Sequence, residues 1–145
     1  GLCDEVTVIA TATRLPSLEY SRCKLAAVAG DRATMQQLEE GSIRSGIDRG
    51  EGTVVAMYLW LVALEHNGHG RYDKALAAAQ EGCQHDEVIA LNGSLAELVE
   101  AAVRMGRPDL ASQACERLTE RAEASGTAWA LGVGARARAL VGDDD

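Results

Sequence analysis

Three histidines, His66, His69 and His85, are the residues of this chain best suited to hold a metal or move a proton. His66 and His69 stand three apart, a spacing that puts two imidazoles on one face of a helix. Between them, however, lie Asn67 and Gly68, which read as a turn, and a site would need Cys83 or Asp86 to come near in space. So few converging ligands make surface turn residues the simpler reading, and no metal site is assigned. Neighbouring carboxylates occur at Glu39-Glu40 and Asp86-Glu87. Acid–base work needs burial to drive two such pKa values apart, and these pairs are expected on solvated helix faces or ends. No Ser/His/Asp or Cys/His set has a strand-to-helix nucleophile elbow around it, and no GxxxxGK[ST] phosphate loop occurs. The chain is therefore expected to have no catalytic residue and no cofactor. Cys3, Cys23, Cys83 and Cys115 form no CxxC, and they are expected to be reduced, small apolar fillers in a cytoplasmic protein.

The elements that would position any site are helices. Apolar or Ala-rich stretches at helical period alternate with short turns that carry Gly with Asp, Arg, Asn or Pro. Leu2 to Thr13 reads as the tail of a helix ended by Leu15-Pro16, and Ser17 to Ala29 as a helix closed by Gly30. Asp31 then caps a helix that runs to about Asp48. Gly52 to His66 is the most apolar helix, and 67–70 turn the chain. Tyr72 to about Gln84 follows, then Ser94 to Met105, with Ser94 and Glu97 read as a capping box. Pro108 is placed to start the next helix at its first position, which ends near Ser125-Gly126. Thr127 caps the last, which stops at Gly142. No stretch alternates well enough for a strand, so the fold is expected to be all-α with about seven helices.

Composition agrees. Of 145 residues 47% are hydrophobic but only 3% aromatic, with no Phe. A core of Ala and Leu suits closely packed helices better than a sandwich or barrel. The net charge of −8 argues against a sequence-independent hold on nucleic acid, which needs a basic surface. The apolar run from Thr53 to Leu64 is too short to cross a bilayer, so no membrane contact is expected.

The turns repeat. Gly30, Gly70, Gly106 and Gly142 each close an apolar helix, and the intervals between them are 40, 36 and 36 residues. That period is one helix pair of a solenoid, in which each pair buries its apolar face on its neighbours. Within it, Gly70 to Gly82, GRYDKALAAAQEG, resembles the turn and second helix of a TPR repeat: Gly70 at the turn, Tyr72 the aromatic that follows, and Ala75 the small residue at the helix crossing. Ala111 stands in the same place after Gly106. The small residue expected midway along the first helix falls on Ala63 and Ala135 but on Val99 between them, and the closing proline is replaced by Glu87 and Glu123. The resemblance implies a single TPR-like solenoid of antiparallel helix pairs over residues 1–145, truncated at both ends. Leu2 to Thr13 would be a second helix lacking its first, and Thr127 to Val141 a first helix lacking its second, leaving apolar end faces open to homodimerisation.

A longer resemblance covers most of the chain. Glu97 to Gly132 with ARARALVGDD from Ala135, and upstream the LAAVAGD turn and GRYDKALAAAQ in the same order, is similar to the helical region of large ATP-binding LuxR-type (LAL/STAND) regulators of the actinobacterial branch. The resemblance implies a non-catalytic, protein-interaction or effector-sensing segment of a cytoplasmic transcriptional regulator. Its partners would be a protein or small-molecule effector and the parent's own ATPase and helix-turn-helix domains, with no nucleic-acid contact by this segment. The alternatives are a stand-alone TPR-like adaptor unrelated to transcription and the helical region of an adenylate-cyclase/ATPase/LuxR fusion, with a small helical enzyme or metal protein the remotest. In the TPR register the inner face of the first helices carries Tyr20 and Lys24, then Met57 and Trp60, then Glu100, then Trp129 and Arg136. These seven are the candidate site for a peptide or effector. Large aromatics usually serve burial first, so packing between helix pairs is the leading expectation for both tryptophans.

Overall fold

The computed structural model describes Glu5, Val8, residues 19–85 and residues 88–142, and within these it is all-helical, without strands. Over 19–142 the helices are α1 (Glu19–Ala29), α2 (Arg32–Asp48), α3 (Gly52–Gly68), α4 (Tyr72–Gly82), α5 (Val88–Arg104), α6 (Pro108–Ser125) and α7 (Ala128–Gly142). Glu5 and Val8 are helical too. The rest of the expected helix Leu2 to Thr13, Cys3 included, its Leu15-Pro16 stop, Ser17, Asp86-Glu87 and the final three aspartates lie outside the described residues, as do the side chains of Glu39-Glu40.

One backbone device makes four of the turns. After α1, α2, α3 and α5 a glycine at φ 70°, 68°, 70° and 64° adopts the left-handed conformation that a β-carbon would penalise. The next residue then donates back five positions: Asp31 to the Ala26 carbonyl at 2.9 Å, Glu51 to Gly46 at 2.8 Å, Arg71 to His66 at 2.9 Å and Arg107 to Ala102 at 2.8 Å. This is the Schellman closure, which satisfies carbonyls a helix end would otherwise leave bare. The following helix starts at once. Asp31 caps α2 by accepting from the Thr34 amide at 3.2 Å, Pro108 opens α6, and Thr127 caps α7 by accepting from the Ala130 amide at 3.3 Å. These three starts agree with the sequence reading.

Two boundaries differ from it. Helix α3 runs through Asn67 to Gly68, so the turn is 69–71. And α5 starts at Val88, so Ser94 and Glu97 are helix interior, not a capping box. The Asn92-Gly93-Ser94 run has polar-turn composition, but packing overrides it. Gly93 lies against the Trp60 indole, and Ser94 lies against Gly82 where α4 and α5 approach most closely.

The helices pack in a regular order. Each odd-numbered helix lies on the next, α1 on α3, α3 on α5 and α5 on α7, and each even-numbered helix sits between its two sequence neighbours. The even helices make no comparable contact with one another. Ala63, Ala75, Ala79, Ala101 and Ala102 fill the crossings and are fully buried, with Leu61 and Leu95 between them. Small residues at crossings let helix axes come close, which is why an Ala-rich chain with few aromatics can still build a continuous core. Among the described residues no helix is long and apolar enough to cross a membrane.

Candidate functional site

The odd helices present a common face, and α3 sets its character. Residues 57, 60, 64 and 67 follow three- and four-residue spacing, so Met57, Trp60, Leu64 and Asn67 share one side of α3. Trp60 is half-buried there. One neighbour of its ring is the backbone of α5 at Gly93, where a β-carbon would come within 2.6 Å of the indole nitrogen. The Lys24 ammonium of α1 stands 5.9 Å from the ring centroid, close enough for a cation–π attraction of about 0.5–1 kcal/mol at an exposed site. Trp60 is thus neither sealed core nor free platform. It is a ring seated on glycine backbone beside a lysine.

Further along the face the site turns polar. Asn67, 7% exposed, donates from Nδ2 to the Glu97 carbonyl and to Glu97 Oε2, both at 2.9 Å. Its Oδ1 is buried without a partner. Glu97 is 5% exposed, and burial pushes its carboxyl above the ordinary range, opposed by the Asn67 hydrogen bond and the Arg136 charge. One helical turn on, Glu100 accepts from the Arg136 guanidinium of α7. The face therefore grades from an aromatic–cationic end at Lys24 and Trp60 to a buried amide–carboxyl pair and an Arg–Glu bridge.

Of the seven expected site residues, the structure joins Lys24 to Trp60 and Glu100 to Arg136. Met57 is half-buried beside Trp60 on the same face of α3. Tyr20 is half-buried, edge-on to Tyr58 with ring centroids 6.2 Å apart. Trp129 is 55% exposed on α7, which α5 separates from α3, so the burial expected of both tryptophans fails for this one. It stands near the start of α7, whose buried residues are Ala130, Gly134 and Ala137, one position away from that buried face.

Glu97 and Asn67 were not among the expected residues, and the unpartnered oxygen gives a test of their pairing. In Glu97→Gln the new amide can pair head-to-tail with that of Asn67, satisfying Oδ1 and removing a buried charge. The variant is expected to be about 1 kcal/mol more stable than the parent at neutral pH, by urea denaturation. The sign follows from linkage. A raised folded pKa means the folded state binds the proton more tightly, so the parent gains stability as pH falls through that pKa toward the ordinary carboxylate value. The advantage of Gln should shrink over the same interval. A variant no more stable than the parent at pH 7 would show that the pair is already satisfied.

Comparison with protein-family models, with curated proteins and with solved structures finds no match.

The opposite side of α3 holds a second arrangement that the sequence reading placed on the surface. Glu65 is 4% exposed. The Arg71 guanidinium grips both its oxygens at 2.5 Å, and the Nδ1 atoms of His66 and His69 stand 2.9 and 3.2 Å from it. Burial alone would raise the Glu65 carboxyl, but the Arg71 bonds and charge, aided by the two histidines, hold it below the ordinary range. Arg71 Nε also donates to His66 Nδ1 at 3.0 Å, which makes His66 a neutral imidazole with its proton on Nε2. Burial lowers the His66 pKa, and the nearby cations Arg71, Lys74 and Arg32 add to that, against the opposing pull of Glu65. His66 is therefore built into the hydrogen-bonded network around Glu65, whereas His69 is an exposed residue of the turn, as expected, with Nδ1 near Glu65. Among the described residues no group of His, Cys, Asp and Glu is arranged to hold a metal. Among the described residues Cys23, Cys83 and Cys115 form no disulfide, and the Cys23 thiol donates to Met35 Sδ at 3.5 Å. Burial raises the Cys83 thiol to about 11, against the weaker pull of Arg117, which makes it unreactive at neutral pH.

Proposed function

We propose that this chain is a non-catalytic, TPR-like helical-repeat segment of a LuxR-type transcriptional regulator, and that it binds a protein segment or effector along the face of α1, α3, α5 and α7. The observation that carries the reading is the packing order itself. Odd helices lie directly on one another while even helices do not, so the odd helices share an inner face. On that face a half-buried tryptophan beside a lysine, followed by Glu100 and Arg136, gives apolar contact area with charges of both signs, the mixture that fixes an extended peptide in place. The sequence resemblance, running in the same helix order, supplies the regulatory setting. A partner that favours one curvature of the stack would shift its population and bias the attached ATPase and DNA-binding domains.

Two observations test the two halves of this reading. Selection of random peptides on the immobilised chain should enrich sequences whose binding changes Trp60 fluorescence. The double variant Lys24→Glu, Arg136→Glu should lose that binding while its melting temperature stays within a few degrees of the parent, because both changed side chains are exposed. Failure to enrich any peptide above a blank surface, or binding indifferent to both charges, sinks the groove. The parent reading frame tests the setting. ATP-binding and helix-turn-helix sequences on either side support it, whereas their lack would leave a stand-alone adaptor.

A further inference from the structure

A cleft of about 440 Å³ opens between α2 and α4, floored by the side of α3 that faces away from Trp60. Its floor and walls are apolar at Leu59, Val62 and Ala78. At one end it gathers Arg32 from the start of α2, His66 from the end of α3, and Arg71 and Lys74 from the start of α4. Arg71 is spent on Glu65, which leaves Arg32, Lys74 and the His66 Nε2–H as the donors of that end. Glu81 lines the cleft about two helical turns beyond Lys74, roughly 10 Å along α4 at the ordinary rise.

The fold does not need this chemistry. The turn after α3 has the same backbone bonds as those after α1, α2 and α5, which equates His66 with Ala26, Gly46 and Ala102. Their preceding residues are Leu25, Ser45 and Ala101, and Arg71 stands where those turns have Asp31, Glu51 and Arg107. The closure therefore forms without a carboxylate–imidazole pair, and of these four turns this one has such a pair, beneath a cleft with two further cations. Burying an ion pair instead of alanine brings a turn no stability of itself, because desolvation consumes most of the attraction. What the network does achieve is orientation: Glu65 and Arg71 fix the His66 ring and its tautomer at the cationic end.

From this juxtaposition we propose that the α2–α4 cleft binds a small organic anion, its carboxylate or phosphate held by Arg32, Lys74 and the His66 Nε2–H and its apolar part lying on Leu59, Val62 and Ala78. A cleft of this size suits a small molecule rather than a folded partner. Glu81 repels an anion at the far end and so sets the direction in which the occupant lies. This site is separate from the inner face of the odd helices and stands or falls independently of it.

Hexanoate, inorganic phosphate and, as a cationic control, hexylamine are to be titrated into the full chain and followed by backbone amide chemical shifts. Shifts converging on Arg32, His66 and Lys74 are expected for hexanoate, for phosphate or for both, the responding probe naming the head group. Binding in the range of about 0.1–10 mM is expected for such small probes. The double variant Arg32→Gln, Lys74→Gln should weaken it roughly tenfold or more, the effect of losing two charge-assisted hydrogen bonds, with melting unchanged. Lys24→Glu, in the groove, should leave it intact. The proposal is overturned if neither anion moves these amides, if the double variant binds as well as the parent, or if hexylamine shifts the same residues equally.

Discussion

Replacing Arg71 by alanine should destabilise the chain by about 3–5 kcal/mol, because it leaves the Glu65 carboxylate buried with its strongest partner gone. The remaining partners cannot substitute. His66 is held neutral by its own burial and by the cations around it, and His69 reaches only one oxygen. The companion measurement is Glu65→Ala with Arg71→Ala. The equivalent turn after α5 works with Ala101 and Ala102 at the helix end, so removing both charges should recover most of the loss. A denaturant-based double-mutant cycle reads both values, and a double variant as unstable as Arg71→Ala would show that the network shapes the turn itself. pH supplies an independent check. The depressed Glu65 pKa makes its contribution complete above the ordinary carboxylate range and lost as pH falls through the folded value. His66, whose pKa is also depressed, contributes fully above about 6.5 and loses that contribution as pH falls below it. Acidification from pH 7 should therefore weaken the parent first in the imidazole range and again in the carboxylate range; once Glu65, His66 and Arg71 are all alanine the first step should vanish and the second should shrink to what Asp31 and Glu51, also depressed by their hydrogen bonds, contribute.

The second large effect is expected at Gly93. A methyl group there would fall inside the Trp60 ring system, and the obstacle is the indole itself rather than the tip of a flexible chain. Alanine favours a helix over glycine by about 1 kcal/mol, so on propensity alone Gly93→Ala should stabilise α5. Overpacking of about 1–3 kcal/mol, together with the burial lost when the indole is expelled, should outweigh that gain. A lower melting temperature with red-shifted tryptophan emission is the expected pair of results. Higher stability with unshifted emission would mean that α3 and α5 can part without cost.

These two positions also show what the sequence could and could not disclose. Helix order and turn positions were legible because glycine with a capping residue has a local cause, which the sequence states directly. Asn92-Gly93-Ser94 misled because its glycine answers to a residue 33 positions earlier, and no local rule carries that information. Glu65 was legible as a residue but not as a site. It closes the apolar run of α3, where a charge ordinarily marks the return to solvent, and only the chain's turn back through Arg71 buries it. Lys24 and Trp60 were placed on one face by the register of the TPR resemblance and do meet. Tyr20 was placed there too, and its contact with Tyr58 was not legible, because register fixes the direction in which a side chain leaves the backbone but not the rotamer that finds a partner.

The unequal packing of odd and even helices has a mechanical meaning. A row of helices joined along one edge and free along the other is a hinge repeated several times, like the ribs of a folding fan. The Asn67–Glu97 and Glu100–Arg136 bonds lie on the pinned edge, and the α2–α4 cleft lies on the free one. Were an occupant of that cleft to part α2 from α4, the parting would have to be taken up at the contact of α1 with α3, where the inner face lies. Occupants of the two edges would then act on one angle, and whatever free energy each gained from bending the row would be felt by the other, equally and in both directions.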